Sequence, residues 1–201
     1  MTRLQAKNGV EVLYVPNKTN DIFMLTYVYE TGSDVDSLLT YAPELMNFVR
    51  TPDMTAEQIK NEFYKLACDY SFRVGARRSY ATLSGLSENM GKAAALFEKV
   101  LANAEIPADA LAAYADRVEK ARADQKHNQS ANFSRLAQYV VYGPKNYSTV
   151  TITPDQLRSI SPAKFVDALR DLNKYEQTVV YWGKAPAKDV VAPVSYTHLT
   201  L

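Results

Sequence analysis

Two histidines, one cysteine and fourteen tyrosines are the side chains in this 201-residue chain with most to offer chemistry beyond ordinary surface charge. His127 and His198 are too few for a multi-histidine metal centre, and Cys68 has no second cysteine to join in a disulfide or a thiolate site. Metal chemistry carried by this chain alone is therefore disfavoured. His127 lies between Lys126 and Asn128 at the polar end of a charged helical stretch, where a helix dipole favours a cation. It reads as a capping or solvated residue rather than a catalytic one. Cys68 borders an apolar stripe and reads as a small buried hydrophobe rather than a reactive thiol. Arg77, Arg78 and Tyr80 have the make-up of a basic and aromatic binding patch, but they fall at a hairpin tip where surface charges are ordinary. The net charge of +1 supplies no field to draw in a nucleic acid. No glycine-rich phosphate loop, nucleophile elbow or converging acid and base pair is written among seven glycines and two histidines. The tyrosines suit sheet faces and wet interfaces, where an apolar body with a polar tip is useful.

The elements that must position these groups follow from periodicity. Asn8-Gly9 leads into the β-branched run Val10 to Val15, and a polar turn over 16–21 leads into Ile22 to Tyr29, which predicts two neighbouring strands. In the second, Phe23, Leu25, Tyr27 and Tyr29 alternate with Ile22, Met24 and Val28, a pattern that predicts a central strand covered on both faces. Leu38, Leu39, Ala42, Leu45, Met46 and Val49 keep helical spacing over 37–50, with Pro43 predicting a late start or a kink. Thr55-Ala-Glu-Gln58 has the form of a capping box, and Ile59, Phe63, Leu66, Ala67 and Tyr70 mark one face of the helix it opens. Residues 71–76 and 78–86 predict a hairpin turning through Gly75-Ala-Arg-Arg78. Helical stripes follow at Met90 to Leu101, at Leu111 to Ala121 beyond Pro107, and at Phe133 to Val141 before Gly143-Pro144. Thr153-Pro and Ser161-Pro each place a cap before a proline in a first helical turn. Gln177 to Trp182 is a last strand. Strand pairs separated by helix pairs, without a regular βαβ alternation, predict an α+β fold with helices packed on a mostly antiparallel sheet.

Hydrophobic residues at 47% and charged residues at 22% argue against disorder, a fibrous repeat or a small disulfide scaffold. The longest apolar runs are too short to span a bilayer, and the N-terminus carries no apolar stretch like that of a signal peptide. Residues 1–183 read as a single domain, and residues 184–193 as the start of an interdomain linker. Residues 194–201 have the look of a non-native, translated cloning sequence, which would make His198 foreign to the protein.

Laid end to end, Asn8-Gly9-Val10-Glu-Val12, Tyr41-Ala-Pro-Glu44-Leu45, Phe63-Tyr-Lys-Leu-Ala-Cys-Asp-Tyr70 and Leu86-Ser-Glu-Asn-Met-Gly-Lys-Ala-Ala-Ala-Leu-Phe97 resemble one domain of the M16 metallopeptidases, the insulinase, pitrilysin and mitochondrial-processing-peptidase family, from about Leu4 to Gly183. In active domains of that family a helix carries His-x-x-Glu-His, with two imidazoles one turn apart as zinc ligands and the glutamate as general base. The matching positions here are Tyr41, Glu44 and Leu45, so only the glutamate remains and the motif is degenerate. The family's third ligand, a glutamate further along, falls near Arg122 to Asp124 without a secure register, and no metal ligand is carried over to this chain. The resemblance therefore implies a non-catalytic domain. Family members pair homologous halves around a peptide-enclosing chamber, and only one half holds zinc. This chain would then form part of the chamber wall, with zinc in a partner half carried in cis or in trans. Substrate residues stay unassigned, and no nucleic acid or membrane span is expected. Some family members are exported, which leaves a periplasmic location open. The other reading is a catalytically dead M16-fold scaffold or interaction subunit, because fold alone does not decide function. Under the chamber reading, the isolated domain should expose an apolar or tyrosine-rich face and tend to associate.

Overall fold

A computed structural model describes residues 1–144 and 151–194, so the expectations for residues 195–201, His198 among them, lie outside the described residues. The chain divides into two compact units, one of residues 1–106 with 163–201 and one of residues 107–162.

The first unit is built on a sheet of six strands, β1 (Thr2–Gln5), β2 (Glu11–Pro16), β3 (Ile22–Tyr29), β4 (Cys68–Val74), β5 (Ser79–Leu86) and β6 (Gln177–Gly183). Their order across the sheet is β1-β2-β6-β3-β5-β4. The β2 and β6 strands are parallel, with Val12 opposite Val179, and the other neighbours are antiparallel. The fold is thus α+β on a mostly antiparallel sheet. Two sequence expectations are corrected here. The β2 and β3 strands are not neighbours, because β6, arriving from the far end of the chain, hydrogen-bonds to both. Local periodicity carries no information about so distant a partner. Nor is β3 covered on both faces. Phe23, Leu25, Tyr27 and Tyr29 are buried, whereas Ile22 and Met24 stand nearly half exposed on the other side. The short β1, absent from the sequence reading, pairs at the edge through Leu4 and Val12.

The covered face packs against α1 (Ala42–Leu45), α2 (Ala56–Lys65) and α3 (Met90–Ala102). Thr55 and Gln58 form the expected capping box at the start of α2. Phe63 meets Tyr70 at 4.8 Å between ring centroids, and Tyr70 and Phe72 both meet Phe97, so α2, β4 and α3 share one aromatic core. The α2 helix stops earlier than its apolar spacing suggests. Ala67 takes a left-handed conformation at φ +49° and donates its N–H to Tyr64 O, a helix-ending turn. Tyr70 and Cys68 consequently belong to β4 and not to the helix. Gly32 fixes a loop to the β4–β5 hairpin: Ser33 and Asp34 donate to Gly75 O and Ala76 O. A Cβ on Gly32 would lie 2.2 Å from Gly75 O, which explains the glycine.

Helices α7 (Pro162–Asp171) and α8 (Ala187–Val194) flank β6 in sequence. Arg170 of α7 donates to Leu101 O and Ala102 O at the open C-terminal end of α3. The stretch expected as linker contains α8, whose Val190 and Val194 are buried, and Asn8 Nδ2 donates to Val194 O at 2.9 Å. Tyr14 and Tyr181 stack on the same side, and both hydroxyls engage the Ala185 backbone ahead of α8.

The second unit holds α4 (Ala108–Gln125), α5 (Gln129–Tyr142) and α6 (Pro154–Ser159). Thr153 and Gln156 make a second capping box, with Pro154 in the first turn as expected. Gly143 closes α5 with φ +76°.

Candidate functional site

Residues 37–50 contain the positions that resemble the zinc motif, Tyr41, Glu44 and Leu45. Asp36 accepts the Leu38 N–H at 2.8 Å and caps a short 3-10 turn, Ser37–Thr40, after which Tyr41 bridges to α1. Pro43 in the first turn of α1 lacks an N–H and cannot donate back to the turn before it, so α1 starts afresh after the 3-10 turn. The expected helix over 37–50 is therefore broken into two 3-10 turns around a four-residue α1. Within it, the Leu45 N–H donates to Tyr41 O at 3.2 Å, which sets the two residues one turn apart on one face. That face points into the core: Leu45 has no exposed surface and Tyr41 almost none. Glu44 projects the other way into solvent.

Zinc requires three or four nitrogen, sulfur or carboxylate donors converging within about 2.0–2.3 Å. The two core-facing positions offer a phenol and a hydrocarbon, and the one carboxylate faces away from them, so these residues do not fit the ion. Among the described residues no group of three or more His, Cys, Asp or Glu side chains gathers.

The α4 segment that resembles the third-ligand region is occupied otherwise. Arg122 donates to Ile152 O at 2.8 Å. Arg158 of α6 binds Glu119 and, at 2.7 Å, Asp116 of α4, and also Asp155 at 2.9 Å. Its hydrogen bonds to Glu119 and Asp116 raise the guanidinium pKa further above its usual range. The acidic groups are held by a cation of the chain itself.

Other sequence candidates scatter. Cys68 is buried at the start of β4, where its Sγ–H donates to Leu66 O, and burial pushes the thiol pKa up. His127 is exposed just beyond α4, with its backbone N–H on Asp124 O. In the hairpin Arg78 pairs with Glu30 at 2.9 Å, Arg77 is exposed, and Tyr80 pairs with Val28 across the ladder. Sequence reasoning missed an open pocket of about 660 Å³ with the Asp21 and Lys184 ion pair, Glu88 and Asp189 at its wall. Its charges come from three separate stretches of chain, around Asp21, Glu88 and Lys184–Asp189, and no local pattern joins them. Half-buried Glu98 on α3 was missed too; burial pushes its carboxyl pKa up.

Neither a protein-family profile nor a curated protein matches the sequence. Solved structures do match the fold. The periplasmic protease PqqL from Escherichia coli superposes with a TM-score of 0.82 at 15% identity, over 99% of this chain and 23% of its own. The peptidase M16 inactive domain from Pseudomonas fluorescens gives 0.81 at 19% identity, over 100% of this chain and 50% of its own. The separately solved first half of PqqL gives 0.72 at 14% identity, over 100% of this chain and 46% of its own. This chain therefore has the fold of an M16 peptidase domain and spans half or less of the length of each of these structures.

Proposed function

We propose, starting from the M16 domain fold, that this chain is a non-catalytic domain of a longer M16 zinc peptidase. It forms part of the wall that encloses a peptide, and a homologous half, in cis or in trans, holds the zinc. The observation that carries this reading is the burial of Tyr41 and Leu45. The positions that resemble the family's zinc-ligand positions lie in the hydrophobic core, and Glu44 is in solvent. A lone carboxylate without a metal does not make water a competent nucleophile at neutral pH. The better superposition on whole PqqL than on its first half supports a place outside that half. In this role the chain acts through position. A rigid wall excludes water and limits the orientations of a bound peptide, which contributes to cleavage by a neighbour. The test is turnover of a fluorogenic peptide by the 201-residue chain, with zinc added and then chelated. No turnover under either condition is expected, and chelator-sensitive turnover would overturn the reading.

A further inference from the structure

One face of the six-stranded sheet carries Phe23, Leu25, Tyr27 and Tyr29 inside the core of the first unit. The other face has two ends of different chemistry. On β3 and β6 Met24 stands opposite Trp182, with Ile22 two residues along, and the three are 47%, 37% and 46% exposed. At the hairpin end of β4 and β5 Arg73 stands opposite Tyr80, and Tyr80 opposite Val28. Arg73 and the hairpin residue Arg77 are exposed, and among the described residues neither has an ion pair, whereas Arg78 is held by Glu30.

Between the ends run hydroxyl groups, Thr26 and Thr82 with their Oγ1 atoms 3.1 Å apart and Ser71 opposite Thr82. The carboxylates of this face lie elsewhere. Glu11 pairs with Arg3 at 3.4 Å, and Asp69 is at the opposite end of β4 from Arg73, opposite Ser84 and so nearer the Met24 end. The basic and aromatic patch written in the sequence at Arg77 and Tyr80 is thus continuous, across a polar strip, with an apolar one.

We propose that this face takes an extended peptide carrying a carboxylate side chain and, about six residues away, an apolar one. The carboxylate meets Arg73 and Arg77, and the apolar side chain lies on Met24 and Trp182. Two unpaired guanidinium groups complement an anion and repel a basic segment, while an acidic side chain at the apolar end would face Asp69. Strand spacing and rise per residue put Arg73 and Trp182 about 20 Å apart on the face. About six residues of extended chain span that distance. The inference rests on the reading of this chain as a chamber wall and names the class of peptide the wall holds.

Trp182 is the only tryptophan of the chain and reports directly on this face. The test titrates the 201-residue chain with an end-blocked Gly/Ser peptide bearing two glutamates and, six residues away, two leucines, and follows tryptophan emission. A saturable blue shift is expected, and exchanging the glutamates for lysines should weaken binding at least about fivefold. Arg73→Gln with Arg77→Gln should weaken the glutamate peptide by about threefold to tenfold without weakening the lysine peptide. Both arginines are exposed, so the circular dichroism of this variant should match the parent. Lys60→Gln removes an exposed cation of α2, which packs beside β4, and should change nothing. No shift at any peptide concentration, or equal binding of the glutamate and lysine peptides, overturns the proposal. Equal binding of a glutamate peptide without leucines reduces the face to an anion patch and overturns the two-part assignment. Each of these failures leaves the chamber reading to its own test, which is turnover with zinc and chelator.

Discussion

Placing two histidines one turn apart, by Tyr41→His with Leu45→His, should damage the fold without creating a metal site. Leu45 is fully buried, and losing such a side chain from the core costs about 2–3 kcal/mol in transfer free energy alone. An imidazole placed there also loses water without a partner, at a further cost of about 1–3 kcal/mol. Tyr41 adds to this, although not additively, because the two residues are one turn apart and joined by the Leu45 N–H to Tyr41 O bond. A total of about 3–5 kcal/mol is a large share of the net stability of an ordinary domain. For a chain of this size it corresponds to a fall in Tm of about 10–15 °C. Calorimetry with and without excess zinc is the assay, and zinc should recover little of the loss, because two core-facing imidazoles without a third donor do not complete a site. A double variant that melts with the parent and gains a chelator-reversible rise in Tm would refute the reasoning. It would mean that only the ligands, and not their surroundings, separate this domain from a zinc-binding one.

Gly32→Ala should lower stability by about 1–3 kcal/mol in urea denaturation, because its methyl group would meet the backbone of Gly75 at 2.2 Å and the hairpin must shift to admit it; an unchanged midpoint would disprove the clamp. The Cys68 thiol, buried and with a raised pKa, should react with a disulfide reagent at pH 8 far more slowly in the folded chain than in denaturant, and equal rates would contradict its placement in β4. Glu98 has a folded pKa raised above 4.5 by burial, so its contribution is most favourable below pH 4.5 and is lost as pH rises through the raised value. Glu98→Gln should therefore stabilise the chain at pH 7, and the gain should fade toward pH 4; a gain independent of pH would show that charge is not its cause.

Local chemistry was legible in the sequence, and long-range pairing was not. The capping boxes at Thr55 and Thr153, the glycine stop at Gly143, β3 and the β4–β5 hairpin all lie where neighbouring residues specify them. The insertion of β6 between β2 and β3 joins Thr26 to Val180, a contact that no local period encodes. Cys68 was misplaced for a related reason. Apolar spacing carried the helix past Leu66, but a turn at Ala67 and the close fit of Gly85 against Cys68 begin the strand there. At the candidate site the resemblance sets Tyr41 and Leu45 against the family's two histidines, whereas the burial of both side chains was not legible. Pro43 hinted at an irregular helix without revealing that it would shrink to four residues.

The most direct test of the central claim is metal content. The chain would be refolded in excess zinc, desalted and assayed by mass spectrometry for metal and by amino-acid analysis for protein. The account predicts that no zinc is retained. One equivalent, released by a chelator, would contradict it.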